Sequence, residues 1–310
     1  MNKVCIIDSD PSLYQNLLED LALPELHIVS SKGDGQAIEP DCNILFGRPK
    51  MIAEHLPAFE GVEWVQSTFA GIDALCSADL PNNYMLTGIK GVLGSLMSEY
   101  VFTYLLAIER RLLETQHHQQ KLKWKGMSHR GIQGMTLGVL GLGDIGSSIA
   151  QMAKHFGMRV LGFNRSGASN PVVEEVFSGA SQADFLSQLD YLVITLPGTV
   201  QTRHFVDYQV LKQMKPSAVL INVGRGSVVN ERDLVRALQE QVIRGAVLDV
   251  FEKEPLPKES PLWKMTNVFI TPHNAADVLP EDIAAIFAEN YIRFLKKKEL
   301  RYLIDFERGY

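Results

Sequence analysis

The chain has 310 residues, 46% of them hydrophobic and 21% charged, with a formal net charge of −6 at pH 7. This length exceeds one simple core and fits two globular domains of ordinary size. The acidic balance argues against a nucleic-acid surface, and no apolar run approaches the roughly 18 residues of a membrane helix. We therefore expect neither a nucleic-acid nor a membrane partner.

The first residues and the cysteines indicate the compartment. Residues 1–7 enter an apolar segment at once and lack the basic, apolar and small-residue series of a signal peptide, which predicts a cytoplasmic protein. Cys5, Cys42 and Cys76 have no metal-ligand spacing and are too few for a disulfide framework. We expect reduced, mostly buried thiols and no bound metal.

Short apolar strands alternate with amphipathic helices along the chain, which predicts parallel sheets covered on both faces. In the first third, strands are predicted at Val4–Ile7, His27–Ser30, Asn43–Phe46 and Trp64–Ser67, a helix at Pro11–Leu21, and turns at Gly33-Asp34-Gly35 and Pro81-Asn82-Asn83. A single long helix is predicted from about Met97 to Lys121. His117 and His118 on this helix are interpreted as a solvated face.

The rest of the chain repeats the alternation more strongly. Strands are predicted at Leu137–Leu140, Val160–Phe163, Leu192–Thr195, Val219–Asn222, Ala246–Val250 and Val268–Thr271, and helices at Ile145–Phe156, Glu231–Gln239 and Glu281–Lys297. Asn230, with Asp233 three residues later, predicts an N-cap for the helix at Glu231–Gln239.

A glycine turn joins the strand at 137–140 to the helix that follows. Gly141 permits a tight turn, Gly143 lets the backbone approach a pyrophosphate, and Gly146 lets helix pack on strand. The N–H groups at the start of the helix would hold phosphates. We expect a dinucleotide site formed by Gly141, Leu142, Gly143, Asp144, Ile145 and Gly146; the alternative is a purely structural turn.

The end of the next strand bears on the choice of cofactor. Sites that prefer NAD usually place Asp or Glu here for the ribose hydroxyls, whereas this chain has Asn164, Arg165 and Ser166. An arginine can pair with a 2′-phosphate through two parallel hydrogen bonds. We therefore predict NADP(H) as the preferred cofactor, with NAD(H) possible; the alternative is that Arg165 is a surface residue and the adenosine end is unselective.

Charged or titratable groups follow three predicted strands, where a doubly wound fold opens its ligand crevice. Together with the glycine turn and Leu196-Pro197-Gly198-Thr199, these stretches resemble the D-isomer-specific 2-hydroxyacid dehydrogenase family, especially its glyoxylate and hydroxypyruvate reductases. The stretches are Asn222–Gly226, Asp249–Pro257 and Thr271–Ala276. The matching region runs from about Leu96 to Ala276, and before Trp64 the likeness is one of architecture only.

The resemblance implies an α/β fold of two doubly wound domains, with a Rossmann dinucleotide-binding domain inserted into a flavodoxin-like substrate domain. Residues 97–276 would form the first, and residues 1–96 plus 277–310 the second. It also implies an enzyme that transfers a hydride between NAD(P)H and a small 2-keto or 2-hydroxy acid with D-isomer specificity. A homodimer is implied through the apolar helix around Tyr100–Ile108, although a buried helix within one chain would show the same pattern.

By resemblance, Arg225 binds the substrate's carboxylate and keto oxygen, Glu254 pairs with His273, and His273 is the acid/base. The chemistry agrees, because reducing a ketone places negative charge on its oxygen and so needs a proton donor and a fixed cation. A carboxylate beside a histidine favours its charged, donating form. Alternatives are a structural histidine, a loop-ordering arginine and an exposed loop acid at 254; Glu252 is interpreted as an acid of that last kind.

Further contacts carry over in the same way. Asp249 would hold the nicotinamide carboxamide, and the cofactor would also meet Leu196, Pro197, Thr202, Val223, Arg225, His273 and Ala275. Ala70 and Gly71, in the stretch 67–73, would offer backbone N–H groups to the substrate carboxylate; the alternative is an ordinary turn. Arg48 is a further candidate for substrate contact, and Asn274-Ala275-Ala276 departs from many relatives, which leaves the substrate open.

A second reading from another class is a non-catalytic NAD(P)-sensing protein of the corepressor type, which uses the same fold without turnover. The joint presence of Arg225, Glu254 and His273 favours the enzyme. A hydrolase of related fold lacks support, because the sequence carries no additional catalytic cysteine or lysine motif.

Overall fold

The computed structural model describes residues 1–30 and 39–309. The turn predicted at Gly33-Asp34-Gly35 lies outside these residues. The chain divides into two compact units, one formed by Met1–Val92 with Val278–Tyr310 and the other by Leu93–Asp277. The second unit is thus inserted into the sequence of the first.

The strands and helices alternate as expected for α/β units. In chain order the described strands are β1 (Asn2–Ile7), β2 (Leu26–Ser30), β3 (Ile44–Gly47), β4 (Trp64–Ser67), β5 (Met85–Thr87), β6 (Thr136–Leu140), β7 (Arg159–Phe163), β8 (Glu175–Phe177), β9 (Tyr191–Ile194), β10 (Val219–Asn222), β11 (Gly245–Leu248) and β12 (Val268–Ile270). The described α-helices are α1 (Pro11–Asp20), α2 (Pro49–His55), α3 (Gly94–Glu109), α4 (Leu112–Gln120), α5 (Asp144–His155), α6 (Gln182–Leu186), α7 (Tyr208–Leu211), α8 (Glu231–Gln239) and α9 (Pro280–Leu295).

Each unit is built on one parallel sheet. In the first unit the strand order is β2-β1-β3-β4-β5, which is the flavodoxin-like order. In the second it is β12-β11-β10-β9-β6-β7-β8, the Rossmann order with one more strand at the edge beyond β11. The predicted fold class of two doubly wound α/β domains is confirmed.

The inner strands of the second unit carry continuous apolar runs because helices cover both faces of the sheet. Every residue of β9 and of β10 is buried. Helix α8 starts at its predicted N-cap: the side-chain oxygen of Asn230 accepts the backbone N–H of Asp233 at 3.1 Å. That prediction is confirmed, and the cap fixes where the helix begins beside the loop after β10.

The single helix predicted from Met97 to Lys121 is wrong. Helix α3 ends at Glu109, and Arg111 adopts a left-handed backbone conformation with φ of +52° before α4 begins. The physical reason lies in burial, because α3 packs an apolar face in the core whereas α4 buries none of its residues. No glycine or proline marks the break, so the sequence pattern did not reveal it.

Over residues 1–30 and 39–309, no helix is both long enough and apolar enough to span a membrane. In the same ranges, no three His, Cys, Asp or Glu side chains are grouped so that they could hold a metal ion. The three cysteines are free thiols; Cys5 and Cys42 are buried, and Cys76 is half-buried.

Candidate active site

The glycine turn after β6 uses each of its three glycines for a different reason. Gly141 has a φ of +103°, a conformation that L side chains rarely adopt. A Cβ at Gly146 would lie 2.0 Å from the carbonyl oxygen of Gly141, so helix and turn touch through backbone. A Cβ at Gly143 would meet nothing within 4 Å, which leaves open space at the N-cap of α5.

This geometry fits a bound dinucleotide. The first N–H groups of a helix and its dipole favour an anion, and the 12-residue α5 begins beside the open space at Gly143. Leu142 lies in the same turn and fills the space over Gly162, where a Cβ would come within 2.5 Å of the leucine side chain. Asp144 and Ile145 form the first turn of the helix.

A polar turn follows β7. The side-chain oxygen of Asn164 accepts the backbone N–H of Gly167 at 2.6 Å and the hydroxyl of Ser166 at 3.3 Å. These bonds shape the turn and leave Arg165 exposed to solvent. The guanidinium therefore stands at the surface, one strand away from the glycine turn.

The loops after β9 and β10 lie directly against each other. A Cβ at Gly224 would come within 2.7 Å of the carbonyl oxygen of Leu196. Thr202 shapes the first loop, since its hydroxyl donates to the carbonyl of Pro197 at 2.6 Å and accepts the N–H of Thr199 at 2.8 Å. These contacts place Leu196 and Pro197 beside the segment that carries Val223.

Glu254 and His273 form an ion-pair contact. The Oε2 atom of Glu254 lies 2.7 Å from Nδ1 of His273, and its Oε1 accepts the N–H of Phe251 at 3.0 Å. Because an ionised carboxylate only accepts, Nδ1 carries the proton, and Nε2 is the nitrogen left for exchange with a substrate. The side chain of His273 is 51% exposed and that of Glu254 36%, so solvent screens the pair in part.

Arg225 follows β10, next to the strand that leads to Asp249. Its Nη1 donates to the carbonyl of Gly224 at 2.8 Å, and its own carbonyl accepts the side-chain amide of Asn222 at 3.1 Å. A Cβ at Gly226 would fall 1.9 Å from the carbonyl carbon of Phe251, so the two loops are in backbone contact. Strands β10, β11 and β12 are neighbours, and their carboxyl ends bring the three predicted catalytic residues to one edge of the sheet.

Asp249 is almost wholly buried and binds the segment that follows β12. Its Oδ1 accepts the hydroxyl of Thr271 at 2.6 Å and the N–H of Asn274 at 2.9 Å, and its Oδ2 accepts the N–H of Ala275 at 3.1 Å. The sequence predicted a cofactor contact for Asp249 but not this ordering role. In the sequence, the only feature that marked Thr271 was its position directly before Pro272 and His273.

Glu252 is an exposed loop acid, as interpreted, but the structure adds a role for its side chain. Its Oε1 accepts the N–H of Glu231 at 3.0 Å, and the side chain of Glu231 accepts the N–H of Glu252 in return. The reciprocal bonds tie the loop that carries Glu254 to the start of α8. Burial raises the pKa of Glu231, and the nearby carboxylates of Glu252 and Glu254 add to that effect.

In the first unit, the predicted substrate loop follows β4. Ala70 is exposed and Gly71 half-buried in the turn after that strand. The buried carboxylate of Asp8, which the sequence analysis missed, accepts the hydroxyl of Thr68 at 3.0 Å and Nε of Arg48 at 3.3 Å. Arg48 also stacks over the ring of Phe69 at 5.0 Å. The available signal was an acid directly after the first strand, at its carboxyl end.

Comparison with known proteins adds the decisive observation. Residues 102–275 match the family model described as D-isomer specific 2-hydroxyacid dehydrogenase, NAD binding domain. The chain belongs to this family. The predicted resemblance is confirmed, and with it the reading of the chain as an NAD(P)-dependent oxidoreductase; the corepressor alternative is not favoured.

Relatives and solved structures agree. A glyoxylate reductase of Aeropyrum pernix is 34% identical over 271 residues, covering 83% of this chain and 77% of the relative. A glyoxylate/hydroxypyruvate reductase A of Serratia proteamaculans is 34% identical over 249 residues, covering 78% of this chain and 79% of the relative. A family structure from Aeromonas salmonicida has a TM-score of 0.92 at 40% identity, covering 98% of this chain and 99% of its own.

A second structure bears on the cofactor. An NADPH-dependent glyoxylate/hydroxypyruvate reductase from Sinorhizobium meliloti, solved in complex with NADP and sulfate, has a TM-score of 0.91 at 25% identity and covers all of both chains.

Proposed function

We propose that this protein is an NADPH-dependent reductase of glyoxylate, hydroxypyruvate or a similar small 2-keto acid, with Arg225, Glu254 and His273 as its catalytic residues. One observation carries the proposal: the 2.7 Å contact between Glu254 and His273 at the strand ends of a nucleotide-binding sheet. A non-catalytic sensing protein has no need for a carboxylate that holds an imidazole in one tautomer.

Each residue has a distinct role in the proposed reaction. Bound NADPH supplies a hydride to the keto carbon. Protonated His273 gives its Nε2 proton to the keto oxygen as negative charge develops there, while Glu254 keeps Nδ1 protonated and stabilises the imidazolium. Arg225 binds the substrate carboxylate and keto oxygen, since its planar fork matches a 2-keto acid.

The same proposal covers cofactor choice and the remaining contacts. Exposed Arg165 after β7 supports NADPH over NADH, because a guanidinium pairs with a 2′-phosphate and no carboxylate occupies positions 163–166. The assignment of Ala70 and Gly71 to the substrate carboxylate also stays a prediction, supported by their place at the carboxyl end of β4. The cytoplasmic location also stays a prediction from the sequence.

We also propose a homodimer. The apolar side chains of α3 around Tyr100–Ile108, which the sequence analysis considered for the interface, pack into the core of their own unit instead. Helix α4 buries none of its residues, and the segment around it exposes large apolar side chains: Leu112 at 56%, Leu113 at 54%, Leu122 at 95% and Trp124 at 105%. Apolar surface of this kind marks a partner interface, and a second copy of the chain is the occupant we propose. Leu122→Glu/Trp124→Glu should convert the dimer to monomer in light scattering; a wild-type monomer contradicts the proposal.

The test of the reaction is a panel of 2-keto acids assayed by NADPH and NADH oxidation. We expect turnover with glyoxylate or hydroxypyruvate and a higher kcat/KM with NADPH than with NADH. Pyruvate and oxaloacetate serve as comparison substrates that differ in the group beside the keto carbon. Absence of turnover with every acid and both cofactors at neutral pH would refute the proposed function.

A further inference from the structure

A chain of hydrogen bonds runs from α3 to the site. The hydroxyl of Tyr100 lies 2.6 Å from Oγ1 of Thr271, which lies 2.6 Å from Oδ1 of Asp249. An ionised carboxylate can only accept, so Thr271 donates its single proton to Asp249. The first bond is therefore donated by Tyr100, and the order of donation along the chain is fixed.

The carboxylate at the end of this chain holds the backbone around His273. The side chain of Asp249 accepts the backbone N–H groups of Asn274 and Ala275. The backbone carbonyl of Asp249 accepts the N–H of His273 at 2.9 Å. His273 itself has a φ of +54°, a conformation that costs a non-glycine residue free energy unless its surroundings impose it. The direction of the imidazole thus depends on how Asp249 is held.

We propose that Tyr100 and Thr271 are positioning residues for hydride transfer: they fix the rotation of the Asp249 carboxylate and, through it, the segment that carries His273. The inference rests on the proposed function and names residues for the same site. Both residues act through Asp249, and neither is assigned a contact with the substrate.

The surroundings of Tyr100 support this role. Its ring packs at 4.8 Å from that of Tyr104, which lies 5.4 Å from Phe269 on β12, so the phenol is fixed from the side. Burial raises the pKa of Tyr100, so the hydroxyl remains a donor throughout the neutral range. Within residues 1–30 and 39–309, the hydroxyl of Tyr104 makes no hydrogen bond, so Tyr104 serves as a matched control.

The carboxylate has capacity for one more partner. Oδ1 receives two donors, from Thr271 and Asn274, whereas Oδ2 receives one, from Ala275. Two carboxylate oxygens offer about four acceptor positions, so Oδ2 fits the N–H of a nicotinamide carboxamide. Loss of the Thr271 hydroxyl, or of the Tyr100 hydroxyl that donates to it, lets the Asp249 carboxylate rotate. Both the affinity for the cofactor and the position of His273 are then affected.

The experiment compares the full-length wild type with Tyr100→Phe, Thr271→Val, Thr271→Ser and the control Tyr104→Phe. The dissociation constant of NADPH is measured by fluorescence without substrate, and kcat and KM for glyoxylate are measured separately. We expect Tyr100→Phe and Thr271→Val to weaken NADPH binding and lower kcat, each about 3- to 10-fold, as expected for loss of one buried hydrogen bond. Thr271→Ser and Tyr104→Phe should stay within about twofold of the wild type.

Two results would overturn the inference: Tyr100→Phe equal to the wild type in both measurements, or Tyr104→Phe as impaired as Tyr100→Phe, which would indicate packing alone. If Thr271→Val does not fold, the comparison of NADPH affinity and kcat between Tyr100→Phe and Tyr104→Phe tests the inference by itself. A wild type that binds NADPH but reduces no keto acid refutes the proposed function, whereas the ranking of NADPH affinities still tests the positioning role.

Discussion

Glu254→Gln removes the charge beside His273 while keeping the size of the side chain. The amide oxygen can still accept from Nδ1–H, so the tautomer of the imidazole is retained. What disappears is the negative charge that stabilises the imidazolium, the form that donates the proton. The substitution therefore separates the electrostatic role of Glu254 from its orienting role.

The structure sets the size of the effect. Two opposite charges about 4 Å apart interact by about 1 kcal/mol in water and about 4 kcal/mol near a protein surface. Because 51% of the His273 side chain and 36% of the Glu254 side chain are exposed, the lower half of that range applies, about 1 to 2 kcal/mol. This corresponds to a fall in kcat/KM of about 5- to 30-fold.

The assay is initial-rate NADPH oxidation with glyoxylate, using Glu259→Gln as the matched control. Glu259 is an exposed acid five residues further along the same loop. His273→Ala should lower kcat by about 100-fold or more with NADPH affinity largely intact, and adding Glu254→Gln to it should cost little more, because the two residues act as a unit. A Glu254→Gln enzyme as fast as the control, or a double variant with fully additive losses, would refute the reasoning.

Three further predictions concern separate parts of the chain. Arg225→Lys should lower kcat/KM by about 10-fold or more, because an ammonium does not replace the planar fork; an unchanged value contradicts the assigned role. Arg165→Asp should shift the ratio of kcat/KM values from NADPH toward NADH, and an unaltered ratio would remove the selectivity argument. Glu109→Gln should lower the free energy of unfolding by about 2 to 4 kcal/mol at pH 7 in urea titrations, and by much less at pH 3; an equal loss at both pH values contradicts the ionic explanation.

The pH dependence of the last prediction follows from the contacts of Glu109. Burial disfavours its charge, but hydrogen bonds from Arg130, Tyr191 and Arg244 outweigh that cost and lower its pKa. A carboxyl whose pKa is lower in the folded state contributes stability that is fully present above its unfolded pKa, near 4.5. That contribution is lost as the pH falls through the folded pKa, so the wild type approaches the variant in acid.

Local sequence determined much of the fold and pointed to the proposed site residues. Apolar runs of four or five residues marked inner strands such as β9 and β10, because strands buried on both faces need no polar alternation. The glycine turn at 141–146 was recognisable because the positive φ of Gly141 and the close backbone approach at Gly146 both require glycine. Arg225, Glu254 and His273 were recognisable from their neighbours in the sequence. Short edge strands such as β5 and β8 were missed, since three residues carry too little periodicity.

Tertiary structure alone decided which of these groups touch. Tyr100 and Thr271 are 171 positions apart, and their bond exists because α3 packs beside the end of β12. The break of the long helix at Arg111 likewise reflects where the core stops, which no local pattern records. Local sequence encodes backbone preference and burial over a few residues, whereas hydrogen-bond partners depend on the order of strands in the sheet and on side chains that meet only after the chain has folded.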